Sequence, residues 1–136
     1  MIRALVVVAL LAGCGGSATT EPPARTITGT FVLNSNAVDR NADLTRCEGT
    51  GGFDDIAEGT GVVLKDGEGS LVGSSRLTIA PRAAFGNNPG CVYNFTFDDV
   101  ADAAFYSVEI GDRGEIAYSR AELEAADWKI HTSLGE

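Results

Sequence analysis

The sequence predicts an all-β domain, a single small β-sandwich or barrel-like body with one short helix. Three observations carry this. Apolar and polar residues alternate over short segments of four to eight residues, the pattern of half-buried strands. Glycine-bearing turn sequences, drawn from 17 glycines, separate those segments. A single N-cap pattern interrupts them near the C-terminus. About eight short strands without a sustained repeat leave a sandwich and a barrel both open.

Taken in order, residues 26–33 form the first strand. Ile27, Phe31 and Leu33 face inward with Gly29 in the same row, and Thr26, Thr28, Thr30 and Val32 face the other way. Residues 34–43 are polar and read as a loop, and residues 44–47 as a short strand ending at Cys47. Residues 48–59 are rich in glycine and the least regular part of the body. Residues 60–65 form a strand with Val62 and Leu64 inward, and Asp66-Gly67-Glu68-Gly69 is turn chemistry. Residues 70–73 and 76–80 continue as strand, with Leu77 and Ile79 inward, and residues 81–90 form a loop.

Residues 91–98 (CVYNFTFD) alternate most clearly. Cys91, Tyr93, Phe95 and Phe97 share one face, and Val92, Asn94, Thr96 and Asp98 the other, which marks a central strand whose aromatic row builds the core. Residues 105–110 and 115–118 flank Gly111-Asp112-Arg113-Gly114 as a hairpin. Tyr106, Val108 and Ile110 form its inward row, continued by Ile116 and Tyr118. Ser119 three residues before Glu122 matches a capping box, so a short helix reaches about Ala126. Residues 128–134 form the last strand, with Trp128, Ile130, Thr132 and Leu134 on one face. A core role follows for Tyr93, Phe95, Phe97, Tyr106 and Trp128.

Ahead of this body stands MIRALVVVALLAGC. Arg3 and the amino terminus give a positive start, and residues 4–12 are an unbroken apolar run. A bilayer-spanning helix needs about 20 residues, whereas the apolar centre of a secretory signal needs about 7–15. Leu11-Ala12-Gly13-Cys14 resembles the lipobox of bacterial lipoprotein precursors. That resemblance implies a diacylglyceryl group on the Cys14 thiol and cleavage between Gly13 and Cys14. Two acyl chains suffice for stable membrane attachment, where one gives only marginal binding. Gly15 is not the aspartate that resembles an inner-membrane retention signal. The expected organisation is a lipoprotein signal peptide over residues 1–13, a lipid-anchored flexible linker over 14–25, and an extracytoplasmic β domain over 26–136. The linker reading rests on small polar residues with Pro22-Pro23 and no periodicity.

Cleavage at that point leaves 123 residues, enough for one domain. It leaves nine basic and 19 acidic side chains, a net charge near −10. Anionic lipid and nucleic acid repel such a body, so nucleic-acid binding is disfavoured and the lipid must do the attaching. With Cys14 taken by lipid, Cys47 and Cys91 remain as a pair, and a disulfide persists outside the cytoplasm.

The body resembles small exported proteins and lipoproteins of actinobacteria. The resemblance rests on Cys47 with Gly49, on Gly51-Gly52-Phe53 with Asp55-Ile56, and on Gly61 and Val63. It continues through Cys91 with Phe95 and Phe97, Phe105-Tyr106-Ser107-Val108 with Arg113-Gly114, and Glu122-Leu123 with Trp128. It covers most of residues 26–134, supports the fold and the compartment, and carries no activity across.

Chemistry-bearing residues are sparse. His131, the only histidine, falls on the outward face of the last strand beside Lys129 and Ser133. A general base there is weighed against a solvated strand residue, and the solvated residue is the expectation. Gly73-Ser74-Ser75 is not a nucleophile elbow, and no helix pattern follows it. One histidine with two paired cysteines leaves too few ligands for zinc. Asp98, Asp99 and Asp102 cluster at a strand end, and Asp54-Asp55 with Glu58 at a glycine-rich loop. Calcium favours oxygens on adaptable loops, but neither cluster has EF-hand spacing, and solvated turns are the default.

The expectation is therefore a monomeric, non-enzymatic binding or interaction module. It sits on the outer face of the cell membrane and is attached by the lipid on Cys14. An envelope protein or glycan is the expected partner, with no catalytic residues, cofactor or metal. A cell-wall-acting hydrolase using His131 and Asp55, and a calcium-dependent module, stand as alternatives.

Overall fold

Ten strands, one α-helix and two single-turn 3-10 helices make up the computed structural model, which describes residues 15–16 and 24–135. The expected signal segment, Cys14 and most of the expected linker lie outside the described residues. The strands are β1 (Arg25–Leu33), β2 (Val38–Arg40), β3 (Cys47–Gly49), β4 (Gly61–Asp66) and β5 (Leu71–Arg76). They continue as β6 (Thr78–Ile79), β7 (Cys91–Val100), β8 (Phe105–Ile110), β9 (Glu115–Ser119) and β10 (Lys129–Leu134), with helix α1 (Arg120–Ala125) between the last two. Among the described residues no helix is long and apolar enough to cross a membrane.

The strands form two four-stranded sheets, ordered β10-β1-β7-β6 and β5-β4-β8-β9, and a small β2-β3 ribbon. Inward rows from both larger sheets merge into one apolar core: Ile27, Phe31 and Leu33 from β1, Tyr93, Phe95 and Phe97 from β7, Val62 and Leu64 from β4, and Tyr106 and Val108 from β8. Strand β7 is central, antiparallel to β1 on one side and β6 on the other. The alternation of residues 91–98 thus reflects a strand with one face on the core.

Gly29 sits opposite Phe95 in the β1–β7 pairing. A Cβ there would lie 1.9 Å from the tip of the Phe95 ring, so the ring occupies the space a side chain would need. Phe95 is buried, and moving its ring disturbs the core. Gly29→Ala is expected to destabilise the protein by about 1–3 kcal/mol, read as a lowered urea midpoint with an unchanged slope.

Four local expectations are corrected. Within the stretch 34–43, read as loop, residues 38–40 form β2 and pair with β3 (Val38↔Gly49, Arg40↔Cys47). The strand expected to end at Cys47 instead begins there. Residues 70–80 are not one interrupted strand. The chain leaves the second sheet after β5, turns at buried Leu77, and joins the first sheet as β6. Leu77 is held at this crossing by hydrogen bonds to Thr60 O (2.9 Å) and from Gly59 N (2.8 Å). Ile116 continues the inward row opposite Val108 but is 42% exposed rather than buried, because β9 is an edge strand with no neighbour to cover it.

The hairpin, the helix and the last strand form as expected, except that Trp128, expected to open the last strand, sits in the turn before β10 with a positive φ of 58°. Ser119 Oγ accepts from Glu122 N (3.2 Å) while the Glu122 carboxylate accepts from Ser119 N (2.6 Å), completing the capping box. These contacts hold the Glu122 carboxyl below its usual range. Strand β10 then lies parallel to β1, Thr28 opposite Lys129 and Leu33 opposite Leu134. The two ends of β1 therefore define two ends of the body. At the Arg25 end, the Arg25 guanidinium stacks 4.3 Å over Trp128 and reaches Asp102, which Arg120 also engages. Half-buried Trp128 packs edge-to-face on Tyr106 at 6.4 Å.

At the other end, Cys47 and Cys91 are joined by a disulfide with a Cα–Cα distance of 5.7 Å. It ties the β2-β3 ribbon to the central strand.

Candidate functional site

Sheet order brings three outward rows together on the outer face of the first sheet. Strand β1 contributes Thr28 and Thr30, β7 contributes Asn94 and Thr96, and β10 contributes Lys129 and His131. Pairing sets Thr28 between Thr96 and Lys129, and Thr30 between Asn94 and His131. These side chains border a shallow depression of about 350 Å³. The residues adopt this side because their partners in the alternation, Ile27, Phe31, Phe95 and Ile130, are buried beneath.

The polar groups of this face are lightly engaged internally. Thr30 Oγ1 reaches Asn94 Oδ1 at 3.4 Å, a long contact. Lys129 pairs at 3.6 Å with Asp127, both well exposed, so the pair contributes little. Among the described residues the side chains of Thr28, Thr96 and His131 make no hydrogen bond and no ion pair. The face offers hydroxyl donors and acceptors, an amide and an imidazole side by side, an arrangement suited to hydrogen-bonding a hydroxyl-rich ligand. Each outward residue was visible in the alternation. Their meeting was not, because it depends on β10 joining β1 in parallel.

His131 thus stands on the solvent side of β10, as the alternation indicates. Asp55, the acid weighed with it, lies on the loop after β3 and pairs with Arg113 from the β8–β9 turn, with Nε to Oδ2 at 2.8 Å and Nη2 on Oδ1. The Arg113 hydrogen bonds hold the Asp55 carboxyl below the ordinary carboxylate range. A depressed folded-state pKa contributes stability that is present above the unfolded pKa, near 4, and is lost as pH falls through the folded value. Replacing Asp55 with Asn is expected to lower stability by a constant, small amount above about pH 5, with the difference from the parent shrinking toward acid. Urea midpoints across that range check this.

Three of the other acids are occupied as well. Asp98 accepts from Thr26 Oγ1 (3.2 Å), Asp102 serves Arg25 and Arg120, and Glu58 Oε1 accepts from Ile79 N (3.4 Å). Asp99 has a positive φ of 53° at the end of β7. Among the described residues no three His, Cys, Asp or Glu side chains gather in a metal-holding group. Ser74 and Ser75 lie within β5, where Ser75 Oγ accepts from Thr96 N (3.1 Å) and links β5 to β7.

Two other concavities border the core. One is apolar and opens between edge strands β9 and β10, lined by Phe31, Val108, Ile110, Ile116 and Leu134. The other, polar, lies at the disulfide end between the 38–46 and 81–91 segments. No family model, curated protein or solved structure matches the chain.

Proposed function

We propose that this protein is a non-enzymatic, lipid-anchored binding module on the outer face of the cell membrane, and that the outer face of its first sheet takes a hydroxyl-rich envelope glycan. The observation that carries the reading is the row of Thr28, Thr30, Asn94, Thr96 and His131, whose polar groups converge on one depression and are little used by the fold. The lipobox at Leu11-Ala12-Gly13-Cys14 supports the membrane attachment. The Cys47–Cys91 bridge agrees with a location outside the reducing cytoplasm. The body's net charge, near −10 without Arg3, keeps it off anionic surfaces and leaves the diacylglyceryl group as the attachment.

The test is co-sedimentation of the full chain, in detergent, with insoluble cell-wall glycan. The parent is expected to pellet with the glycan, and the Thr28→Val/Thr96→Val variant to stay in solution with an unchanged melting temperature. Valine keeps the β-branched shape and removes only the hydroxyls. A parent that stays in the supernatant, or a double variant that pellets as the parent does, contradicts the reading.

A further inference from the structure

We infer that the cleft at the disulfide end binds an oxyanion, a phosphate or carboxylate group carried by a larger ligand. This site is separate from the hydroxyl face and does not depend on it. The cleft, about 460 Å³, is lined by Arg40, Asn41 and Leu44 on one wall and by Arg82, Phe85 and Asn88 on the other. The two arginines brace the walls reciprocally. Arg40 Nη1 donates across to Asn88 O (3.1 Å) and Gly90 O (3.0 Å), and Arg82 Nη1 donates back to Ala42 O (2.7 Å). The Cys47–Cys91 bridge closes the base of the same two segments.

These partners are neutral carbonyls, so they fix the guanidinium groups without cancelling their charge. Each arginine uses only Nη1 in these bonds, which leaves Nε and Nη2 donors for a ligand. Among the described residues neither makes an ion pair, whereas Arg25, Arg46, Arg113 and Arg120 each meet a carboxylate. The acid that feels Arg82, Asp43, is turned to Thr45, accepting from its hydroxyl (2.9 Å) and its N–H (3.4 Å). The Thr45 bonds are the main cause of its lowered pKa, and the charge of Arg82 is the least.

Two held guanidinium groups with spare donors suit the fork geometry of phosphate and carboxylate. Buried Phe85 and half-buried Leu44 give the cleft an apolar floor for the body that carries the anion. The position agrees. Strand β1 runs nine residues from Arg25 to Leu33, and Leu33 pairs with Cys91 beside the cleft. The cleft therefore opens at the end of the body opposite Arg25, where the chain arrives from the anchor side.

The experiment titrates the full chain in detergent with sodium phosphate, with sodium glucuronate and with sodium chloride at matched ionic strength, following backbone amide resonances. Saturable shifts centred on Ala42, Asn88 and Gly90 are expected with phosphate or glucuronate and not with chloride, and the stronger of the two identifies which group the cleft prefers. Arg82→Gln should weaken that response about tenfold or more, while Arg40→Lys, which keeps the charge but loses the fork, weakens it less. Arg76→Gln, at an arginine bound to Gly59 O outside the cleft, leaves it unchanged. The inference is overturned if both oxyanions give only the chloride response, or if Arg82→Gln and Arg40→Lys bind as the parent does.

Discussion

Replacing Cys47 and Cys91 together with alanine is expected to destabilise the domain by about 4 kcal/mol, the chain-entropy value for a closed loop of about 45 residues. The bridge spans 44 positions and is almost wholly buried. It also does something the entropy term omits. Strands β2 and β3 form a two-stranded ribbon of three residues each, too small to stand alone in water. Beyond the bridge, the polar ties from this ribbon to the rest are single hydrogen bonds: Tyr93 Oη donates to Cys47 O (2.8 Å), Arg40 to the carbonyls of Asn88 and Gly90, Arg82 to Ala42 O (2.7 Å), and Gly49 N to Ile56 O (2.8 Å). Without the bridge the ribbon is expected to loosen before the main sheets. A thermal melt should drop by roughly 15 °C, and hydrogen exchange should accelerate first at residues 38–49. An unchanged melt would mean that packing alone holds the ribbon.

Truncating Tyr93 is the second large effect. It is fully buried on the central strand, stacks on Phe31 at 6.2 Å, and carries the hydroxyl that reaches Cys47 O. Burial pushes its phenol above the normal tyrosine range, with Glu48 and Glu58 adding to the effect, so the hydroxyl remains a donor well into the alkaline range. Tyr93→Ala removes an aromatic ring from the core and is expected to cost about 3–5 kcal/mol. Tyr93→Phe keeps the ring and orphans a buried carbonyl, at about 1–2 kcal/mol. Urea midpoints of the two variants separate ring from hydroxyl. Combined with loss of the bridge, the costs should not add, because Tyr93 and Cys47 share a contact.

The parts of the fold that were legible are those where one strand face meets the core and the other meets water. Residues 26–33 and 91–98 alternate for that reason, and the Ser119–Glu122 cap is a local rule that needs no distant partner. The β8–β9 turn announced itself through Gly111 and Gly114, which both take positive φ. Residues 38–40 were hidden because three residues carry no period, and only pairing with 47–49 makes them a strand. The crossing at Leu77 was hidden because Leu77 and Ile79 keep the inward parity of a continuous strand while changing sheets. Ile116 reads as core by parity, yet exposure at an edge depends on which neighbour is missing. The hydroxyl face was legible residue by residue but not as a surface. The paired arginines of the cleft lie 42 positions apart with no motif between them, so only the folded walls bring them together.

The proposed attachment requires Cys14 to receive lipid while Cys47 and Cys91 staple the body, and detergent partitioning with intact mass tests it most directly. The parent and Cys14→Ser are produced in a bacterium, separated by detergent phase partitioning, and weighed intact. The parent should enter the detergent phase as a chain starting at Cys14 with added acyl mass, and Cys14→Ser should remain aqueous without it. A Cys14→Ser protein that still follows the membrane, or a parent without acyl mass, contradicts the account.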